Sequence, residues 1–580
     1  MISFECYVDE LWCINNLKNK KIYIFGAGVD GELVCKKLKE KINIVAFIDN
    51  KKQGTIFCDK EVIDLGDYKN IKMEDSVILV ALYRYATEVI QQLLAERFVA
   101  GEEFVVWDDI HILQPDDICN RYVDFMKKLW QEKKIESDNE ILLAFDNRHD
   151  TDTVVYSYCT NYLAEKYNAS IKGFCRHGAD SNNASGVLLD IYKAFNMDEL
   201  IKTELTEEQQ NEAKQVFKEL WNKLYTWEDW KNISIYGVDL GTVFITVYLR
   251  MEIPSFNLRD EDVKRFIKRS VDTVVFWYHY ITEHKVKAVV LADGVCWEGY
   301  IREIALAQGI PVYVAQYTMQ RAYHNFHDRR SSYKYYRTMW EQLTKEEQEY
   351  GIEWAKEHVE ARIGGKVEDL DAYTAMNYTF AQDKSENRFI EKREGINVLI
   401  CPHIFEENSY LCGEHIFDNS YFAWLCHLGD LSERTPQYNW YMKMHPAARR
   451  RDPIIINKVL EKYPKIKLLP ANISPKQLKA EGIQYALTVC GTLGHEYPAI
   501  GIEVINAGEN PHSTFDFTWN PKTKEEYDNL ILNLENLRPK NNLEELYKFY
   551  CIHYLYYDKE YIPWREVFFD NPYLGMVKEQ

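Results

Sequence analysis

The 580-residue sequence contains no CxxC pair, no uninterrupted apolar run of 18 residues, and no internal repeat or low-complexity tract. Its 13 cysteines are odd in number and scattered. That pattern excludes a disulfide framework and a cysteine-based zinc site, and it is the usage of a reducing compartment. No HExxH is present, and no D-x-D has a convincing strand context, Asp150-Thr151-Asp152 lying in a stretch that reads as polar loop. Metal chemistry is therefore not expected. Positive charge is in deficit: Lys and Arg number 70 against 90 Asp and Glu, a formal charge of −20. The balance argues against broad nucleic-acid binding and against a basic membrane anchor, while leaving room for a local basic site. The N-terminus, MISFECYVDELW, has acids where a signal peptide needs basic residues. A cytosolic protein is expected, with no transmembrane segment and any membrane contact peripheral.

What the chain does have is ordinary globular composition, 46% hydrophobic and 28% charged, at a length that allows three to five domains. Strand-like apolar runs alternate with helical periodicity throughout, which predicts α/β domains built on parallel sheets. Residues 1–115 read as one such unit: KIYIF, NIVAFIDN, DSVILVAL and EFVVW are strands, with helices between them. A second unit spans 138–366, with helices announced by Thr206/Gln209 and Thr344/Glu347 capping boxes. The polar stretch from Lys366 to Glu394 reads as a linker. A third α/β unit covers 395–556, its end helical and tyrosine-rich, and 557–580 forms a C-terminal tail.

Within the first unit, GAGVDG places Gly26, Gly28 and Gly31 between a strand and a helix, with Asp49 closing the next strand. This is the dinucleotide fingerprint: a tight turn brings backbone N–H groups and a helix start to a pyrophosphate, and the acid meets a ribose hydroxyl. GAGVDG and VAFIDN resemble the small Rossmann-like modules fused to bacterial sugar-modifying and acyl-transferring enzymes. The resemblance leaves two readings, a nucleotide or dinucleotide ligand and a docking module. For a nicotinamide-dependent sugar-modifying enzyme centred here, the first 115 residues offer no Tyr-x-x-x-Lys pair placed to act as a hydride-transfer acid.

The third unit carries CGTLGHEYPAIGIEVINAGENPHS after the strand YALTV. Gly491, Thr492 and Gly494 at a helix start form a candidate phosphate cradle without a basic residue, and Glu496 can accept from ribose hydroxyls. His403 ends the strand NVLICPH, on the side where ligands of such sheets sit. The triple Arg449–Arg451 after His445-Pro446 suits an anionic ligand or, equally, a solvated helix start. Asp146, Asn147, Arg148, Arg321, His324 and His327 follow strands of the second unit and are candidates on an acceptor side.

GTxGxEYPxxGxxVxxAG resembles the nucleotide-binding stretch of two-lobed (GT-B type) glycosyltransferases that build bacterial surface polysaccharides. Within that group, enzymes using CMP-activated acidic sugars, the sialyltransferases and more distantly the Kdo transferases, carry three short motifs. They are an acid-acid-glycine at a strand end of the first lobe, a His-Pro in the second lobe, and a Ser/Thr pair on the phosphate loop. Asp293-Gly294, His445-Pro446 and Gly491-Thr492 match them in order, with Ala292 in place of one acid and a single hydroxyl in the loop. The resemblance implies a GT-B pair of Rossmann-like lobes behind an extra Rossmann-like domain. It implies a glycosyltransferase taking a nucleotide-sugar donor and a glycan or glycoprotein acceptor, with Asp293 as general base and His445 on the phosphate or leaving group. No cofactor is required for that transfer. A CDP-polyol phosphotransferase is the alternative chemistry for the same lobes.

Overall fold

The apolar runs become the strands of three largely parallel sheets. The computed structural model describes residues 7–8, 10–73, 75–82, 86–107, 117–145, 150–175, 187–292, 297–315, 319–322, 331–366, 379–382, 387–405, 407, 414–448, 451–540 and 542–556. The chain forms two compact units. One consists of Met1–His111 with Glu252–Pro254 and Ala447–Pro464, the other of Ile112–Met251, Ser255–Pro446 and Lys465–Gln580.

The first unit holds β1 (Tyr7–Val8), β2 (Lys21–Phe25), β3 (Asn43–Ile48), β4 (Ile56–Phe57), β5 (Lys60–Ile63), β6 (Ser76–Val80) and β7 (Phe104–Trp107), ordered β1-β7-β6-β2-β3-β5-β4. All pairs are parallel except the β4–β5 hairpin. That hairpin turns through Cys58 and Asp59, both at positive φ, as a two-residue turn between twisted strands requires. Side chains alternate across the sheet, so Ile22, Ile24 and Phe47 enter one core while Tyr23, Phe25 and Ile48 enter the other. Ile454, on the Asp452–Lys462 helix, is fully buried in the second of these cores beside Ile90 and Leu93.

In the second unit, β8 (Asn139–Phe145), β9 (Ser170–Cys175), β10 (Met197–Leu200), β13 (Lys285–Leu291), β14 (Val312–Ala315) and β15 (Met319–Ala322) form a sheet ordered β10-β9-β8-β13-β14-β15. Only β15 runs antiparallel. A small ribbon, β11 (Ser234–Ile235) and β12 (Val238–Asp239), stands apart from it. The helices Glu207–Trp221 and Lys345–Ile363 start at the two capping boxes read from the sequence. The Asp150–Asp152 stretch is not a loop: it opens the helix Asp150–Tyr167.

The third sheet contains β16 (Ile396–Ile400), β17 (Tyr438–Lys443), β18 (Lys467–Leu469), β19 (Ile483–Thr488) and β20 (Glu503–Asn506), all parallel, ordered β18-β17-β16-β19-β20. Phe380 and Ile390 are buried in its core and anchor the described part of the 366–394 stretch, most of whose other described residues are exposed. The C-terminal helix Leu543–Tyr550, continued by a π turn over Cys551–Tyr556, packs on the helices Tyr336–Gln342 and Lys345–Ile363. Gly351 permits the approach, since a Cβ there would lie 2.2 Å from the Cys551 sulfur. Two Rossmann-like sheets in succession, with a further Rossmann-like sheet encoded ahead of them, make an α/β fold. No helix among the described residues is long and apolar enough to cross a membrane.

Candidate functional site

In an open parallel sheet the strand order reverses between the first strand and the fourth, and the crevice that receives ligands lies at the carboxyl ends of those two. In the third sheet this point falls between β16 and β19. His403 follows β16, His445 follows the neighbouring β17, and Gly491-Thr492 follow β19.

The His403 side chain is 8% exposed, and its Nδ1 is 3.2 Å from Glu407 Oε2. Its ring stacks on Tyr421, with centroids 5.0 Å apart. His415 stacks on Tyr421 as well, at 5.5 Å. The His445 ring lies 6.2 Å from that of His403. Strand adjacency thus brings together two histidines separated by more than forty residues of sequence. Tyr421, His415 and Glu407 complete the cluster. No motif in the sequence singles out Tyr421 or His415, because the stack belongs to a helix and a loop.

The turn after β19 is held by Asn510. Gly491 N donates to Asn510 Oδ1 at 3.1 Å, while Asn510 Nδ2 donates to the carbonyls of Val489 and Gly508. Gly491 has φ +127°, and a Cβ placed on it meets nothing within 4 Å, so the turn faces open space. Thr492 is exposed and is the N-cap of the short helix Leu493–Ala499. The Gly491 N–H expected to cradle a phosphate is therefore committed to Asn510. Among the described residues, no acceptor meets the N–H groups of Thr492 and Leu493.

Gly494 faces inward rather than toward the open space. A Cβ there would lie 2.4 Å from the His512 ring. Glu496 is also buried, and its Oε1 accepts from Arg362 Nε at 2.7 Å. Lys443, the last residue of β17, is buried too, and burial holds its ammonium below the usual lysine range. Arg362 and Lys443 were not singled out in the sequence, where one reads as the last turn of an amphipathic helix and the other as part of a strand.

On the first lobe the reversal lies between β8 and β13. Asp146–Arg148 come after β8, and Asp293-Gly294 after β13 and the buried Ala292; both groups lie outside the described residues. His324 and His327 lie outside them as well. Arg321 belongs to β15. Of the arginine triple, Arg449 and Arg450 lie outside, and Arg451 precedes the Asp452–Lys462 helix of the first unit.

In the first unit β2 and β6 flank the reversal. Gly31 lies so close to the turn that a Cβ would come 1.9 Å from the Gly26 carbonyl oxygen, whereas Gly28 is open. Asp49 ties the turn together: its Oδ2 accepts from Ala27 N at 3.2 Å and its Oδ1 from Lys51 N at 2.9 Å. Lys52 donates its ammonium to the Ala27 carbonyl. The acid expected on a ribose thus acts first as a bracket for its own loop.

Residues 18–101 match the family model described as C2185-like, N-terminal. No curated protein matches the sequence. Among solved structures, the chain is similar to Thermosulfurimonas dismutans KpsC, a beta Kdo 2,4 transferase, with 14% identity, 46% of this chain and 79% of that chain covered, and a TM-score of 0.27. It is similar to the UDP-GlcNAc 2-epimerase from Neisseria meningitidis bound to UDP-GlcNAc, at 13% identity, with 71% and 97% of the two chains covered and a TM-score of 0.21. A UGT transferase from Siraitia grosvenorii in complex with UDP matches at 8% identity, covering 89% and 83%, with a TM-score of 0.16. What defines the candidate site is the sheet order and the side chains described above.

Proposed function

We propose that the protein is a glycosyltransferase that binds a nucleotide-sugar donor at the carboxyl ends of β16, β17 and β19 and passes the sugar to a glycan or glycoprotein acceptor. The observation that carries this reading is the convergence of His403, His445 and the open Gly491–Thr492 turn on three adjacent strand ends at the sheet's reversal point. In this reading the N–H groups of Thr492 and Leu493, with the Thr492 hydroxyl, meet the donor phosphate. His445 and His403 hydrogen-bond the phosphate and stabilise the leaving nucleotide, the Glu407 carboxylate orienting His403. Asp293 takes the proton of the acceptor hydroxyl as the sugar–phosphate bond breaks. The donor assignment, a CMP-activated acidic sugar, rests on the order of the three motifs. Transfer without a metal follows if these dipoles and imidazoles meet the charge of the leaving phosphate.

Calorimetry with CMP, UMP and GMP tests the site. His445→Ala is expected to weaken the preferred nucleotide by about 1.5–3 kcal/mol, the worth of a hydrogen bond to a charged group. Thr492→Val should cost less, because the backbone donors remain. Unchanged affinity in both folded variants places the donor elsewhere. Preference for UMP or GMP removes the acidic-sugar donor, and turnover of a CDP-polyol in its place makes the reaction phosphotransfer. For Asp293→Ala, transfer is expected to fall by about 100- to 10,000-fold with donor binding intact; full activity would remove Asp293 from the mechanism.

A further inference from the structure

A phosphate meets an imidazole and a backbone turn together only if both are held in one arrangement. β16 and β19 are hydrogen-bonded neighbours, which sets the spacing of the backbone at the two strand ends. His403, however, stands beyond the end of β16 at Ile400, and its ring can turn about χ1 and χ2. The segment Glu414–Tyr421 supplies what the strands leave open. At one end the Tyr421 ring stacks on His403, with centroids 5.0 Å apart and planes inclined by 14°. The same ring stacks on His415 at 5.5 Å and 6°. At the other end His415 forms an antiparallel bridge with Gly508. Ile416 N donates to the Ala507 carbonyl at 2.9 Å, and Glu509 N to the Glu414 carbonyl at 2.8 Å. Gly508 permits this approach, since a Cβ there would lie 2.6 Å from that of His415. Asn510 carries the connection onward, donating to the Gly508 carbonyl and accepting from Gly491 N. A continuous path of contacts thus joins the imidazole after β16 to the turn after β19, and Tyr421 is the ring shared by both of its stacks.

The local chain is bent to put that ring in place. Asp418 and Asn419 are consecutive residues at positive φ, 53° and 55°, a conformation that costs any residue with a Cβ and that Asp and Asn tolerate best. Asn419 Oδ1 accepts from His415 N at 3.3 Å. Ser420 caps the helix that Tyr421 opens, its Oγ accepting from Ala423 N at 3.1 Å. Such backbone persists where its surroundings over-determine it, and it clusters at functional sites. We propose that Tyr421 is a positioning residue of the donor site, its flat face fixing the His403 imidazole relative to the Gly491–Thr492 turn. This rests on the donor assignment of these strand ends and adds the group that keeps the two halves of the site in register. At 1% exposure Tyr421 acts through His403 and not on the ligand. An aliphatic side chain in its place fills space but offers no plane for the imidazole to lie against.

The test is a double-mutant cycle read by calorimetry, on the full chain, with whichever of CMP, UMP and GMP it prefers. Tyr421→Leu is expected to weaken that nucleotide about 10-fold, and Tyr421→Phe, which keeps the flat face, to recover most of the loss. In a His403→Ala background Tyr421→Leu is expected to cost nothing further, because the group it positions is gone. Equal losses with and without His403 would make Tyr421 general packing; they overturn the proposal and leave the donor site standing. So does a Tyr421→Leu variant that binds as tightly as the wild type, or a Tyr421→Phe variant that binds no better than Tyr421→Leu. If Tyr421→Leu does not fold, the cycle is run with His415→Leu, which removes the second ring stacked on Tyr421. The proposal again requires a loss that vanishes without His403, and no loss, or an equal loss in both backgrounds, overturns it. Unchanged affinity in His403→Ala overturns the part of His403 in the donor site and this proposal together. A wild-type protein that binds none of the three nucleotides overturns the donor assignment itself.

Discussion

Gly491 and Gly494 belong to one turn but answer to different constraints. Gly491 has a backbone conformation that L side chains rarely adopt, with open space where a side chain would go; Gly494 has an ordinary backbone and no space. His512, whose Nε2 is 3.1 Å from Asn506 Nδ2, fills that space. Gly494→Ala should therefore destabilise the fold by about 1–3 kcal/mol as an overpacked core position, read by urea denaturation. A loss below about 0.5 kcal/mol would show that the His512 ring yields freely. Sequence spacing grouped both glycines as phosphate ligands. It could not separate them, because the ring that excludes a methyl group at 494 comes from eighteen residues further on. Asp49 teaches the same lesson, since a fingerprint acid is legible as a position while its hydrogen bonds to Ala27 and Lys51 are not.

At the level of elements, the short helix Leu493–Ala499 and the C-terminal helix Leu543–Tyr550 share a buried histidine cluster. Burial lowers the His512 imidazole to about 3 and holds His495 well below its usual value, with Arg362 and His553 adding to the effect on His495. Both are neutral in the folded protein, and in the unfolded chain both take a proton near pH 6.5. Their contribution is fully present above pH 6.5 and is lost as the pH falls from there toward the folded values, because the unfolded state binds more protons. Between pH 7 and pH 5, His512 alone should remove about 2 kcal/mol of stability. His512→Gln should flatten the acid limb by a comparable amount in urea titrations at the two pH values. An unaltered limb would mean that His512 titrates with solvent access. The helices themselves were largely legible: the Lys345–Ile363 helix begins where Thr344 and Glu347 form their capping box. Their partners were not. Arg362 reaches Glu496 across 134 residues, and no local periodicity encodes so distant an ion pair.

Across the whole molecule, one strand-order pattern recurs in three sheets, and alternating apolar segments were enough to announce it. The sequence could not announce which segments share a core. Residues 252–254 and 447–464 join 1–111 in a single compact unit, with Ile454 buried against Ile90 and Leu93. Residues 1–111 produced alone should therefore expose the apolar face that Ile454 covers. A hydrophobic dye should bind that fragment far more strongly than it binds the full chain, and a fragment as silent toward the dye as the full chain would show the face closing on its own.

Protein synthesis adds a constraint of timing. Ala447 is made 447 − 111 = 336 residues after His111, a delay of roughly 20–70 s at the usual pace of translation. Throughout that interval the nascent first unit has its own sheet but lacks the helix that completes its surface. Its final stability is settled only once residues 447–464 have left the ribosome, so a chain ending before Ile454 would damage the part of the protein already made as well as the part still missing.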